Sequence, residues 1–159
     1  MKQFLVLLFA VAMMACSGGG DPAPTPTPPT PTVSVATLVK KVWTVNTAQW
    51  DGVTKYDKTS SSNVVQGYSQ YKLDLSTAGS VTLTEFDGKI FTGTYTVATD
   101  GLSLTLNGLT SADGAPTGTG GTISYSILVT PTATSLSLQQ TTAYVKASSA
   151  IVKLALVNP

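Results

Sequence analysis

The chain is predicted to be an all-β protein: an antiparallel up-and-down barrel of eight strands after a short N-terminal helical turn, with a β-sandwich as the alternative. Two observations carry that prediction. Residues 68–106, YSQYKLDLSTAGSVTLTEFDGKIFTGTYTVATDGLSLTL, alternate apolar and polar side chains through four strands joined by three tight turns. Each turn holds a Gly able to take a positive φ, and all three registers send the apolar positions to one face.

The registers follow from turn geometry. With Thr77-Ala78-Gly79 as a three-residue loop, Leu75 faces Val81, Leu73 faces Leu83 and Tyr71 faces Glu85. Phe86-Asp87-Gly88, treated the same way, sets Leu83 opposite Phe91 and Glu85 opposite Lys89, an opposite-charge cross-strand pair. Asp100-Gly101 is a two-residue signal for a type I′ turn, placing Val97 opposite Leu104 and Tyr95 opposite Leu106.

From the N-terminus, Lys2 precedes an apolar run at residues 4–14, too short for a spanning anchor and shaped like a secretory signal. Residues 1–15 are therefore expected to be a cleaved leader. The run ends in Met13-Met14-Ala15-Cys16, which resembles the lipobox of bacterial lipoproteins. That resemblance implies that Cys16, the only cysteine, is acylated and becomes the new N-terminus. The alternative is an ordinary secreted protein with a leftover cysteine. Ser17, not Asp, follows Cys16. By resemblance to the sorting of Gram-negative lipoproteins, this implies an outer-membrane location, periplasmic or surface-exposed. Residues 16–32 then form a tether, Ser17-Gly18-Gly19-Gly20 followed by PAPTPTPPTPT. The proline-rich part favours polyproline II and, at about 3.1 Å per residue, spans roughly 30 Å. The domain proper is residues 33–159.

Composition narrows the function. The 159 residues carry a formal net charge of +1 and contain neither His nor Arg. Imidazole metal ligands, a His-based triad and guanidinium clamps are excluded. No basic patch invites nucleic acid. Of the carboxylates, only Asp51 and Asp113 sit together on predicted loops at one end, and a solvated loop explains them more simply than catalysis. The chain is expected not to be an enzyme and to need no cofactor or metal.

Val35, Leu38, Val39 and Val42 have helical spacing, with Ser34 as a cap. A strand follows at Val42–Trp50, with Trp43 and Val45 on one face. Residues 51–67 are polar and read as a loop with some irregular pairing. Residues 107–122 form a second long loop. Strands are expected at Ile123–Val129, at Ser135–Gln140 and over residues 150–157, separated by a turn at 131–134 and a loop at 141–149. In an up-and-down order, the three long connections share one end and the tight turns the other. Binding usually lives on such loops.

Residues 38–157 resemble the lipocalin-like domains of bacterial lipoproteins. The likeness rests on Val42-Trp43-Thr44-Val45, Gly93-Thr94-Tyr95-Thr96-Val97, Leu102-Ser103-Leu104-Thr105-Leu106, Tyr125-Ser126-Ile127 and Leu136-Ser137-Leu138. It implies a calyx able to hold one small apolar ligand. Trp43, Tyr71, Leu73, Leu83, Phe91, Tyr95, Leu106 and Tyr125 are the candidate lining, or else the packed core, since a barrel of this size can be filled by its own side chains. Gly93, opposite Val81, either leaves a gap for a ligand or marks a bend. The other functional reading is a glycan- or protein-binding module using residues 51–67 and 107–122, with Trp50 and Tyr56 as stacking residues. The expected partners are thus the membrane, through the lipid, and a small ligand or a surface partner.

Overall fold

A computed structural model describes residues 33–159; the expected leader, Cys16 and the tether lie outside the described residues. Within them, one antiparallel sheet runs through β1 (Val42–Trp50), β2 (Val53–Asp57), β3 (Lys72–Asp74), β4 (Ser80–Thr84), β5 (Ile90–Val97), β6 (Ser103–Thr110), β7 (Ile123–Val129), β8 (Ser135–Gln140) and β9 (Val152–Val157). β9 pairs back onto β1, so the sheet closes into a barrel with no free edge around its circumference. The barrel itself has eight strands. β2 is an addition: β3 takes Val42–Thr44 of β1, and β2 takes the same edge further along, from Thr47 to Trp50.

The turn-derived registers hold. Leu73 pairs with Leu83, Leu83 with Phe91, Val81 with Gly93, Val97 with Leu104 and Tyr95 with Leu106. Gly79 and Gly88 take the left-handed φ the three-residue loops need. Leu73, Leu83, Phe91 and Leu104 consequently all point inward and are buried. Each such side chain contributes about 1.5–3 kcal/mol relative to an exposed one.

The helix is a single turn, α1 (Val35–Leu38), capped by Ser34. It closes the tight-turn end of the barrel. Val39 is fully buried beneath it, and the Trp43 indole N–H donates to the Val39 carbonyl at 2.8 Å. A bulge at Asn46, between Val45 and Thr47, keeps β1 matched to β9 and brings Ala48 inward in place of Thr47.

Four local expectations are corrected. Residues 51–67 contain a true hairpin: Asp51 and Gly52 both have positive φ and join Trp50 to Val53 in a two-residue turn. Residues 68–70 are not strand but the end of a 3₁₀ turn, Gln66–Gln70, which drops Tyr68 into the barrel mouth. The Asp100-Gly101 connection keeps its register with a wider loop: the Gly101 N–H donates to the Ala98 carbonyl, only Gly101 has positive φ, and Asp100 Oδ1 accepts from the Leu102 N–H at 2.9 Å. Finally, Glu85 and Lys89 share a backbone hydrogen bond but form no ion pair. Lys89 reaches Asp113 at 3.2 Å, while Glu85 turns inside.

Gly93 marks a bend and not a ligand gap. A Cβ there would lie 2.5 Å from the Asn107 carbonyl oxygen and 3.1 Å from the Leu109 nitrogen, where β6 bulges. Leu109 fills the interior beside it. Gly93→Ala should lower stability by about 1–3 kcal/mol through overpacking, measured by denaturant unfolding. A neutral effect would mean that the β6 bulge yields.

Candidate functional site at the barrel mouth

The eight residues predicted to line a calyx lie together in one core. Trp43, Leu73 and Leu106 are completely buried, and Tyr95, the most exposed of the set, keeps only 8% of its surface. They pack on one another and leave no ligand-sized space. The cavity that remains has a volume of about 10 Å³, roughly one water molecule. Tyr71, Leu83 and Tyr125 line it; Trp43, Leu73, Phe91, Tyr95 and Leu106 do not. Of the two readings of these eight residues, ligand lining and packed core, their burial accords with the packed core that the narrow bore of an eight-stranded barrel allows.

The cavity sits near the mouth, and its upper wall is polar. Glu85 is 2% exposed, carried inward by the same alternation that buries Val81 and Leu83. Tyr144 donates its hydroxyl to one oxygen of Glu85, and Lys146 donates to the other. Lys146 also reaches Asp87 at 2.8 Å. Tyr71 and Tyr125 bring their hydroxyls within 3.4 Å of each other. Gln140 points inward in phase with Leu136 and Leu138, and its buried Oε1 has no hydrogen-bond partner. Above Tyr68, Phe86 packs at a centroid distance of 4.9 Å. Trp50 joins this cluster and donates its indole N–H to the Tyr68 hydroxyl at 2.8 Å.

The electrostatics follow the packing. Burial pushes the Tyr68, Tyr71, Tyr95, Tyr125 and Tyr144 hydroxyls above the usual tyrosine range. For Tyr144, the bond to the Glu85 carboxylate adds to that. Burial works against the Lys146 ammonium, but its hydrogen bonds to Asp87 and Glu85 outweigh it and hold the group above its ordinary value. Asp87 is likewise disfavoured by burial, yet ends below the usual carboxylate range because of Lys146 and the Lys89 backbone N–H.

Beside this chamber is an open cleft of about 360 Å³, between residues 118–124 and 140–144. It is lined by Thr119, Thr122, Ser124, Thr141 and Thr142, with the Thr119 and Thr141 hydroxyls donating to the Pro116 and Ser124 carbonyls, and by the buried Tyr144. Ile123, Gln140 and Tyr144 border both the cleft and the inner cavity, so they form the partition between them. A groove of about 480 Å³ lies at the opposite, closed end, with residues 33–36 as one wall and residues 97–101 as the other.

The remaining expected site residues separate. Tyr56 is buried, and Trp50 is half-buried against Phe86 with the Lys55 ammonium over its ring, so neither is a free stacking platform. Asp51 accepts from the Ile151 N–H at 2.9 Å and ties the first hairpin to the β8–β9 loop; Asp113 pairs with Lys89. The two carboxylates do not converge. Among the described residues, no cluster of three potential metal ligands occurs. Sequence reasoning passed over Tyr68, Glu85, Gln140, Tyr144 and Lys146. The signal for Glu85 was present in the Val81–Leu83–Glu85 alternation.

No protein-family model and no curated protein matches the chain. Two solved structures are similar to it. One is a lipocalin-like protein from Bacteroides uniformis ATCC 8492, with a TM-score of 0.49 and 13% identity over 77% of this chain and 99% of that one. The other is an uncharacterized protein from Bacteroides eggerthii DSM 20697, with a TM-score of 0.45 and 14% identity over 75% of this chain and 98% of that one. The closed eight-stranded barrel stands on its own strand pairing.

Proposed function

We propose that this chain is a non-enzymatic binding barrel, held by a lipid on Cys16 at the outer membrane of a Gram-negative bacterium, that takes a small hydroxylated ligand at its mouth. The observation that carries this reading is the contrast in free space. The interior holds about 10 Å³, whereas the loop-bearing end holds an open cleft of about 360 Å³ within the ordinary size range of ligand sites. Side-chain hydroxyls such as those of Thr122, Ser124 and Thr142 in this cleft are groups that recognise carbohydrate-like molecules. Val33 and Ser34 border the tight-turn end, opposite the mouth.

Isothermal titration of the full chain with neutral oligosaccharides, fatty acids and sterols tests this. A cello-oligosaccharide should bind saturably, and Ala143→Trp, which fills the cleft, should abolish the signal. Saturable heat with a fatty acid or sterol, with no carbohydrate response, would overturn the mouth reading in favour of an interior that opens.

A further inference from the structure

The Lys146 ammonium, on the β8–β9 loop, occupies a cation site built by the β4–β5 hairpin. It donates to the Glu85 carboxylate at the end of β4 and to Asp87 inside the β4–β5 turn, and stands 5.4 Å from the centre of the Phe91 ring on β5. A buried carboxylate, a second one at the rim and an aromatic face are the recognised surroundings of an organic ammonium. Lys146 does not complete them. Gln140 borders the small cavity that Glu85 also lines, and its buried Oε1 has no protein donor. Buried acceptors are nearly always satisfied, so this one is open to a donor from water or from a ligand.

The loop that carries Lys146 is closed against backbone resistance. Ser148 and Ser149 have φ of 56° and 58°, in the left-handed region that side chains disfavour. Tyr144, on the same loop, is part of the partition between cavity and cleft. Moving the loop outward takes Tyr144 out of that partition and leaves Ile123 and Gln140.

We propose that the chamber under residues 141–151 binds the primary ammonium of an amino sugar and that Lys146 is the chain's own plug, displaced by that ligand. The ammonium takes the position of Lys146 Nζ between Glu85 and Asp87. A sugar hydroxyl donates to Gln140 Oε1, and the remaining hydroxylated body lies in the cleft. The inference rests on the mouth being the carbohydrate-binding end and adds a charge to the ligand.

Calorimetric titration of the full chain with three oligosaccharides of equal length tests it: chitosan oligosaccharide, its fully N-acetylated counterpart and cello-oligosaccharide. Chitosan oligosaccharide should bind at least about tenfold more tightly than the other two, because only it carries the cation that the site is built for. Lys146→Met should tighten it by about a further tenfold, since no internal ammonium competes. Glu85→Gln should erase the preference for the amine; if either variant fails to fold, the ligand series on the wild-type chain still decides. Equal affinity for all three sugars would overturn the ammonium site while leaving the mouth reading intact. Weaker chitosan binding by a folded Lys146→Met would show that Lys146 is a strut and not a plug. No binding of any sugar would remove both readings.

Discussion

Raising the pH beyond about 10 should unfold the barrel cooperatively, with tyrosinate absorbance and loss of the β-sheet circular dichroism signal appearing together. Tyr68, Tyr71, Tyr95, Tyr125 and Tyr144 are all buried, and all have hydroxyls held above the ordinary tyrosine pKa. Lys146 is raised as well. A raised folded-state pKa means that the native protein keeps a proton the unfolded chain releases. The stability from these groups is therefore full below the unfolded pKa and is lost as pH rises towards the folded one. Each group that keeps its proton contributes a slope of about −1.4 kcal/mol per pH unit in that window. Tyr71 and Tyr125 alone give about −3 kcal/mol per pH unit by the same rule, enough to exhaust the stability of a small domain within a few units. Tyr71→Phe should flatten the slope by about 1.4 kcal/mol per pH unit. Gradual tyrosine ionisation near pH 10 in a still-folded barrel would contradict this account.

The same aromatic packing explains what could be read from the residues alone. Strand register was legible because Gly79 and Gly88 fix loop length locally, and the side-chain period of two does the rest. The mouth was less legible, because its geometry comes from chain segments far apart. Glu85 lies on the inward phase of β4, yet a carboxylate opposite Lys89 reads naturally as an exposed ion pair. Its true cation, Lys146, is 61 positions away on a loop. Tyr68 looks like the start of a strand, and only its packing against Phe86 and Trp50 makes the 3₁₀ turn preferable. The hairpin at Asp51-Gly52 did carry a local signal. It was obscured because β2 buries only Tyr56 and so lacks a clean apolar alternation. Filled interior and open calyx share one sequence pattern, since both need inward-facing apolar residues; cavity volume depends on how large side chains such as Leu109 and Tyr68 meet across the bore.

Lys146→Met should destabilise the barrel far more than loss of a surface ion pair would, by about 3–5 kcal/mol against roughly 0–1 kcal/mol. The reason is the partner left behind. Glu85 is 2% exposed, and without Lys146 its carboxylate keeps the Tyr144 hydroxyl as its one side-chain partner. The double variant Glu85→Gln, Lys146→Met removes the stranded charge and should recover most of the loss, because a buried pair replaced on both sides is often close to neutral. Asp87 adds a pH signature. Its pKa is lowered in the folded state, so its contribution is present above the ordinary carboxylate pKa and falls away as pH drops through the folded value. The wild-type protein should thus lose stability in strong acid more steeply than Asp87→Asn. Denaturant unfolding of the two single variants, Glu85→Gln and Lys146→Met, and of the double variant closes the cycle. If Lys146→Met costs less than about 1 kcal/mol, the Glu85 carboxylate is reached by water, and the β8–β9 loop is held by Tyr144 and the Asp51–Ile151 bonds instead of by charge.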